Sequence, residues 1–250
     1  MEIWVHRGKI NPADLGNNLD SFRTVHDLGA TGIETDISFT SNRKVIIYHP
    51  GSLNRNLNSF SLHEIKNMSG LPFPILTLEN LLEFMLSLPD FQCLLELKQD
   101  SRELIEAVVE LISKAGLEKR ILLTSFQRKL LILDFETGAD LLTHARTINP
   151  AIRTHIIANF PFNLTAIAEK YRPNMISLGW LPNRNDSKIF YKCVIEPFGQ
   201  IRQRIAEVKS MGIKIIGGIL DSHEDINHFM HLGADGIMTN DIHSALTFKA

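Results

Sequence analysis

Short apolar runs, many of them β-branched, alternate with stretches of helical periodicity along most of the 250-residue chain. The runs predict strands at 2–6, 31–37, 92–98, 120–124, 141–145, 174–179, 213–219 and 235–239. Helical spacing predicts helices near 18–29, 77–88, 102–116, 127–137, 162–171, 198–211 and 223–232. Start signals support several of them: Asn17 or Asn18 precedes Leu19, and Thr77 precedes Leu78-Glu79. Gly29, Gly116, Gly212 and Gly233 stand just past helix ends, where a left-handed cap is common.

A strand–helix–strand unit that recurs with short links implies a parallel sheet. Eight strands in 250 residues fit an α/β TIM (β/α)8 barrel, a single domain over 1–250, better than an open doubly wound sheet. The open sheet would carry a glycine-rich phosphate loop after its first strand, and His6-Arg7-Gly8-Lys9 is no such loop. One stretch breaks the rhythm. Residues 37–76 separate the second strand from its helix and hold an extra apolar run, Val45-Ile46-Ile47-Tyr48, with a short helical pattern near Leu62-Met68. A connection this long is usually functional. In a barrel it forms a small insertion after the second strand, over the C-terminal rim where active sites are built.

Residues two apart in a strand share a face. In Gly32-Ile33-Glu34-Thr35-Asp36-Ile37 the two carboxylates therefore point one way and Ile33, Thr35 and Ile37 the other. Two ionised groups ~7 Å apart on a strand otherwise fit for burial repel each other and lose hydration, and a bound cation makes that arrangement favourable. The same rule puts Glu96 and Lys98 on one face, with Leu95 and Leu97 toward the helices. The first strand ends in His6-Arg7, and the extra run ends in His49.

Three carboxylates from neighbouring strands suit one divalent cation, Mg²⁺, Ca²⁺ or Mn²⁺, rather than zinc, because no cysteine or closely spaced histidine pair joins them. Two imidazoles beside such a cation suit phosphoryl transfer: one takes a proton or attacks, the other protonates the leaving oxygen. Arg7 and Lys98 could hold phosphate oxygens, Arg7 in a bidentate fork. A plainer arrangement, with Glu34 and Asp36 paired to Arg7 or Lys98 and no metal, uses the same residues.

Other positions carry less chemistry. Trp180 follows the sixth strand as a wall for a leaving group or a lid on the barrel top. His144 and Arg146 end the fifth predicted strand within reach of the rim. The remaining histidines, His155 among them, fall on predicted helices or helix starts as surface or cap residues. Asp221 and Ser222 stand where a helix cap is expected, and Cys93 faces the helix layer by parity.

Charge then narrows the partners. A net charge of −2 gives no basic footprint for nucleic acid, so an anionic substrate needs local cations or a metal. No uncharged run has the length of a membrane span, Glu2-Ile3-Trp4-Val5 is no secretory leader, and two cysteines make no disulfide framework. These features point to a cytoplasmic enzyme.

The opening His6-Arg7-Gly8, Asn17-Asn18-Leu19-Asp20-Ser21-Phe22 and Leu28-Gly29-Ala30-Thr31-Gly32-Ile33-Glu34-Thr35-Asp36 resembles the glycerophosphodiester phosphodiesterase family. His49, Thr77-Leu78-Glu79, Leu95-Glu96-Leu97-Lys98, Thr124-Ser125-Phe126 and Leu232-Gly233-Ala234-Asp235-Gly236-Ile237-Met238-Thr239 continue the resemblance in order. It implies a TIM barrel and metal-dependent hydrolysis of a small-molecule phosphodiester to an alcohol and a phosphomonoester. By the same resemblance His6 and His49 would be the acid/base pair, Glu34, Asp36 and Glu96 the metal ligands, and Arg7 and Lys98 the phosphate contacts.

The chain departs from the family pattern at Gly16, where a glutamate is usual, at Pro50 after His49, at Gly218, where a tryptophan is common, and at Asn240 after Thr239. These departures imply a changed alcohol pocket, with Trp180 and Gly218 as its candidate residues. Two other readings share the constellation: a lipid-directed barrel resembling sphingomyelinase D, docking through Leu53, Leu57, Phe60, Leu71 and Phe73, and a phosphodiester-binding barrel without turnover. The alcohol, the preferred cation, the order of the histidines and the oligomeric state stay open.

Overall fold

The computed structural model describes residues 1–50, 53, 55–127, 138–158, 161–180 and 184–248. The first half runs β1 (Glu2–His6), α1 (Leu19–Asp27), β2 (Gly32–Phe39), β3 (Val45–Ile47), α2 (Leu62–Lys66), α3 (Leu78–Leu86), β4 (Gln92–Leu97), α4 (Arg102–Ala115) and β5 (Ile121–Phe126). The second half runs α5 (Gly138–Ile148), β6 (Arg153–Ile157), α6 (Leu164–Tyr171), β7 (Met175–Leu178), α7 (Asn185–Phe190), α8 (Glu196–Gly199), α9 (Ile201–Ser210), β8 (Lys214–Gly217), α10 (His223–Leu232), β9 (Gly236–Thr239) and α11 (Ile242–Leu246). A π-helical turn, Tyr191–Ile195, joins α7 to α8.

Eight parallel strands close a ring in the order β1-β2-β4-β5-β6-β7-β8-β9, and β9 returns to β1. This is the TIM barrel. β3 lies outside the ring, antiparallel to β2 with Ile37 opposite Ile47. Parity sorts the side chains as the sequence implies. Ile33, Ile37, Cys93, Leu95 and Leu97 join the core between sheet and helices, while Trp4, Leu94, Leu122, Met175, Ile216 and Met238 pack inside the barrel. Below them Glu2 pairs with Lys214 and accepts from Trp4 Nε1, and Arg153 donates to Gln92. The floor is thus plugged, and only the C-terminal end is left for chemistry.

Caps set the helix ends. Asn18 accepts from Ser21 N, Thr77 and Asn80 form a reciprocal capping box, and Ser222 accepts from Asp225 N. Gly116 and Gly233 close α4 and α10 in the left-handed conformation.

Two expectations fail in the middle of the chain. Residues 141–145 are helix, not strand: Leu141, Leu142 and Ala145, with Ala139, form the buried stripe of α5. The strand is β6, Arg153–Ile157, whose polar Arg153, Thr154 and His155 hid it from a search for apolar runs. The helix expected at 127–137 lies outside the described residues apart from Gln127. Finally, 198–211 is two helices, broken at Gln200 with φ of 49°.

Candidate active site

Glu34, Asp36 and Glu96 meet inside the rim, each buried to 5% exposure or less. One oxygen of each lies within 4.8 Å of the others. The β2–β4 register sets Asp36 beside Glu96, so the convergence follows from strand pairing. Lys98, just past β4, reaches 2.5 Å from Glu96 Oε1 and 2.9 Å from Asp36 Oδ1, and Arg7 Nε stands 3.2 Å from Asp36 Oδ2. The plain ion-pair arrangement is therefore present around Asp36. Glu34 differs: Oε2 accepts from Arg7 N at 3.1 Å, while Oε1 is buried without a hydrogen-bonding partner.

The charges do not balance evenly. Burial and then the Asp36 charge raise Glu34, and burial and then Glu34 raise Glu96 to about 7. Burial would raise Asp36 as well, but Lys98 and then Arg7 outweigh it and hold that carboxyl below its ordinary value. A bare oxygen and two carboxyls pushed upward by burial and then by neighbouring carboxylates fit a divalent cation, which would offset both lost hydration and repulsion.

His6 and His49 flank this cluster. Burial, and next the Arg7 charge, lower His6 to about 4, and burial lowers His49 to about 4 against the opposing pull of Asp36. His6 Nδ1 lies 2.8 Å from Asn240 Oδ1, and Asn240 Nδ2 donates to Asp221 Oδ2 at 2.9 Å. A carboxylate only accepts, so Asp221 fixes the amide with its oxygen toward His6. The proton of neutral His6 then sits on Nδ1. Nε2 is bare, 3.8 Å from Glu34 Oε2. His49 arrives by a different route: β3 runs antiparallel along β2, Tyr48 N donates to Asp36 O at 2.9 Å, and the next residue reaches the mouth.

Reasoning from the sequence missed three supports. Asp221 is one: Ser222 caps α10, while Asp221 also accepts from Asn240 N at 2.7 Å and Thr239 Oγ1 at 3.0 Å. Asn240 is the second. The third is Asn17, which donates to Asp36 Oδ2 at 3.1 Å and accepts from Thr35 Oγ1 at 2.7 Å. Asn240 directly follows β9 and Asn17 opens a motif, the signals that could have found them, whereas Asp221 lies four residues past β8 and had none beyond its place before a cap. The absent carboxylate at Gly16 also has a local cause. Gly16 has φ of +68°, and a Cβ there would stand 2.3 Å from Arg7 O. This turn has no room for a side chain at that position.

A cavity of about 600 Å³ opens from the cluster, lined on one side by His6, Arg7, Glu34, His49, Glu96 and Lys98. Trp180 and Gly218 both lie on its other side, with Phe126, Ile157, Ile219 and Met238. Trp180 is 8% exposed and stacks edge-on against Tyr191 at 5.5 Å. Gly218 faces Met238, whose Cβ would be 2.8 Å from an added Cβ.

Three expected positions lie elsewhere. His144 sits on α5 against Glu106, and Arg146 binds the carbonyls of Tyr171 and Arg172, because their segment is a helix and not a strand. His155 is neither surface nor cap; it is wholly buried in β6, 3.2 Å from Thr124 Oγ1. Most apolar residues of the insertion serve a small core of their own: Ile46, Tyr48, Leu57 and Ile65 are buried, with Leu53, Phe60 and Leu71 packed on them, while Phe73 lines a recess with Tyr48 and His49.

The match to known proteins covers the same ground. Residues 6–244 fit the model of the glycerophosphoryl diester phosphodiesterase family. The chain belongs to this family. Membership makes it a phosphodiesterase. A glycerophosphodiester phosphodiesterase of Caldanaerobacter subterraneus is 23% identical over 246 residues, covering 90% of this chain and 88% of its own. One from Bacillus altitudinis is 25% identical over 261 residues, covering 96% and 94%. Among solved structures, an Oleispira antarctica phosphodiesterase in complex with the product sn-glycerol-3-phosphate has a TM-score of 0.75 at 17% identity, over 99% of this chain and 97% of that one. A Thermotoga maritima glycerophosphodiester phosphodiesterase has a TM-score of 0.73 at 20% identity, over 99% and 96%. Among the described residues, no helix of this phosphodiesterase is long and apolar enough to cross a membrane.

Proposed function

We propose that the protein hydrolyses a small glycerophosphodiester-like substrate to an alcohol and a phosphomonoester, using one divalent cation and a histidine pair. The observation that carries this reading is the buried triad of Glu34, Asp36 and Glu96 with Glu34 Oε1 unpartnered, set between His6 and His49. Those three carboxylates would hold the Mg²⁺, Ca²⁺ or Mn²⁺, and the bound ion would neutralise phosphate charge as it develops.

The remaining steps fall to this chain's own side chains. Arg7 and Lys98 orient the phosphate, exchanging part of their contact with Asp36 for its oxygens. His6, with Nε2 bare, accepts the proton of an attacking water. Water oxygen ends on phosphorus, the P–O bond to one alcohol breaks, and that alcohol leaves with a proton from His49. An incoming phosphate anion supports this second role, since it opposes the Arg7 and Lys98 charges that disfavour protonated His49. Each proton transfer of this kind contributes about 10²–10⁴-fold.

The insertion, 37–76, serves to carry His49 to the mouth, and its own core keeps that approach rigid. A dissolved substrate agrees with the insertion's apolar residues being used internally. The absence of excess positive charge argues against nucleic acid. Free Cys93 and Cys193 support a cytoplasmic setting.

The test is a panel of glycerophosphodiesters assayed with each cation, with product identification. Turnover to a phosphomonoester that is abolished by chelation supports the reading. Tight binding with no product under any cation would replace it with the binding-barrel alternative.

A further inference from the structure

Among the described residues, the charged side chains that line the cavity all lie on one side. Opposite the carboxylates it is walled by Phe126, Ile157, Leu178, Trp180, Ile219 and Met238, and it runs out to Phe190 on α7. Among the described lining residues on this side there is no charged or amide side chain; only Ser177, Ser187 and Tyr191 carry hydroxyls. At the outer end Phe190 is 51% exposed, and Ile189 beside it is 62% exposed. An apolar track therefore starts at the phosphate position and ends in solvent.

From this we infer that one of the two alcohols on the phosphate is an alkyl chain, so that the substrate is a single-chain amphiphile rather than an ester of two small polar alcohols. The inference rests on the proposed phosphodiesterase reading, because it takes the phosphate position from it. A phosphodiester presents its two alcohols on different sides of phosphorus. With the anion held by Arg7 and Lys98, one alcohol lies over the carboxylates, where hydroxyls find partners. The other meets the apolar wall. A polyol there would give up water for a described surface that is mostly carbon, with the hydroxyls of Ser177, Ser187 and Tyr191 as its few partners. An alkyl chain gains about fourfold in affinity for each methylene buried. The pocket volume, about 600 Å³, accommodates such a chain together with the phosphate and a small polar alcohol. The exposed Phe190 and Ile189 give its end somewhere to emerge.

A homologous series tests this: glycerol-3-phosphate esterified with methanol, butanol or octanol, each kept below its micellar concentration. We expect kcat/KM to rise about 100-fold from methyl to octyl, and the octyl-to-methyl ratio to fall about tenfold in Phe190→Ser. A flat or falling series overturns the alkyl assignment while leaving the phosphodiesterase reading in place. If no ester is turned over with any cation, the phosphodiesterase reading fails, and direct binding of octyl against methyl phosphate, followed by tryptophan fluorescence, then tests the wall alone. Octyl bound at least tenfold tighter upholds it, and equal affinities overturn it.

Discussion

The two halves of the barrel mouth are built by different rules. On the side of β1, β2 and β4, most functional groups leave the strands themselves or the residue directly after one, and Asn17 and His49 join them from the connections. They are charged, buried and interlocked: Lys98 with Asp36 and Glu96, Arg7 with Asp36, Asn17 with Asp36. On the side of β5 to β8 the described residues that line the cavity are uncharged, several of them past the strand ends or on the helical stretch from Asn185 to Ile195. Sheet register fixes the first set to within a fraction of a residue, whereas connections free to vary supply the second. On the proposed reading, bond-breaking machinery and substrate choice would be separated around one ring.

That separation can be broken most severely at the histidines. His6→Ala or His49→Ala should lower kcat by about 10²–10⁴-fold, while the melting temperature and the affinity for ligands of the apolar wall stay near wild type. Loss of wall affinity in either variant would show that the halves are not independent.

Next in size is cation binding. Glu96→Gln or Glu34→Gln removes one anionic ligand and should weaken Mg²⁺, Ca²⁺ or Mn²⁺ binding at least tenfold by calorimetry, without unfolding the chain. The same titration has a defined pH dependence. Because Glu34 is raised to about 8 and Glu96 to about 7, each is protonated below its own value and then cannot ligate. Cation affinity should therefore level off above pH 8, fall by up to about tenfold per pH unit just below it, and fall more steeply below 7.

A smaller effect belongs to the Asn240–Asp221 support. Asn240→Ala frees the His6 ring and its tautomer, and should reduce kcat about tenfold with KM little changed. An equal change in both would mean that Asn240 touches substrate.

The smallest effect concerns stability, beneath both halves. Burial lowers His155 to about 3, whereas the unfolded chain has the ordinary value near 6.5. The unfolded state then takes the proton first, so the His155 contribution is complete above pH 6.5 and is lost as pH falls toward 3. Its share of the slope is at most ~1.4 kcal/mol per pH unit. Denaturant unfolding of His155→Leu at pH 7 and pH 5 should show that share removed.

The same contrast explains what could be seen in the chain beforehand. Glu34, Asp36 and Glu96 were legible because parity along a parallel strand is a strict rule, and their motifs carry a family resemblance. The barrel was legible too, since seven of its eight strands are apolar runs. β6 was not, because Arg153 and His155 put polar atoms into a buried strand and left the helix stripe of α5 as the better apolar signal. Asn17, Asp221 and Asn240 stayed hidden for another reason. Their roles exist only between distant segments, and as single letters they read as turn and cap residues. The apolar wall is hidden apart from Trp180 and Gly218, because little in a sequence marks which apolar side chains border empty space.

Crowding at Gly16 ties an empty position to the cluster beside it. Its carbonyl neighbour Arg7 and its left-handed backbone close the position to any side chain. A side chain at position 16 would push on Arg7 and redraw the β1–α1 connection, including Asn17, which reaches the carboxylate cluster. The bare turn is thus part of the scaffold that holds Asp36, and a Gly16→Glu change disturbs that scaffold before it adds a charge to the mouth.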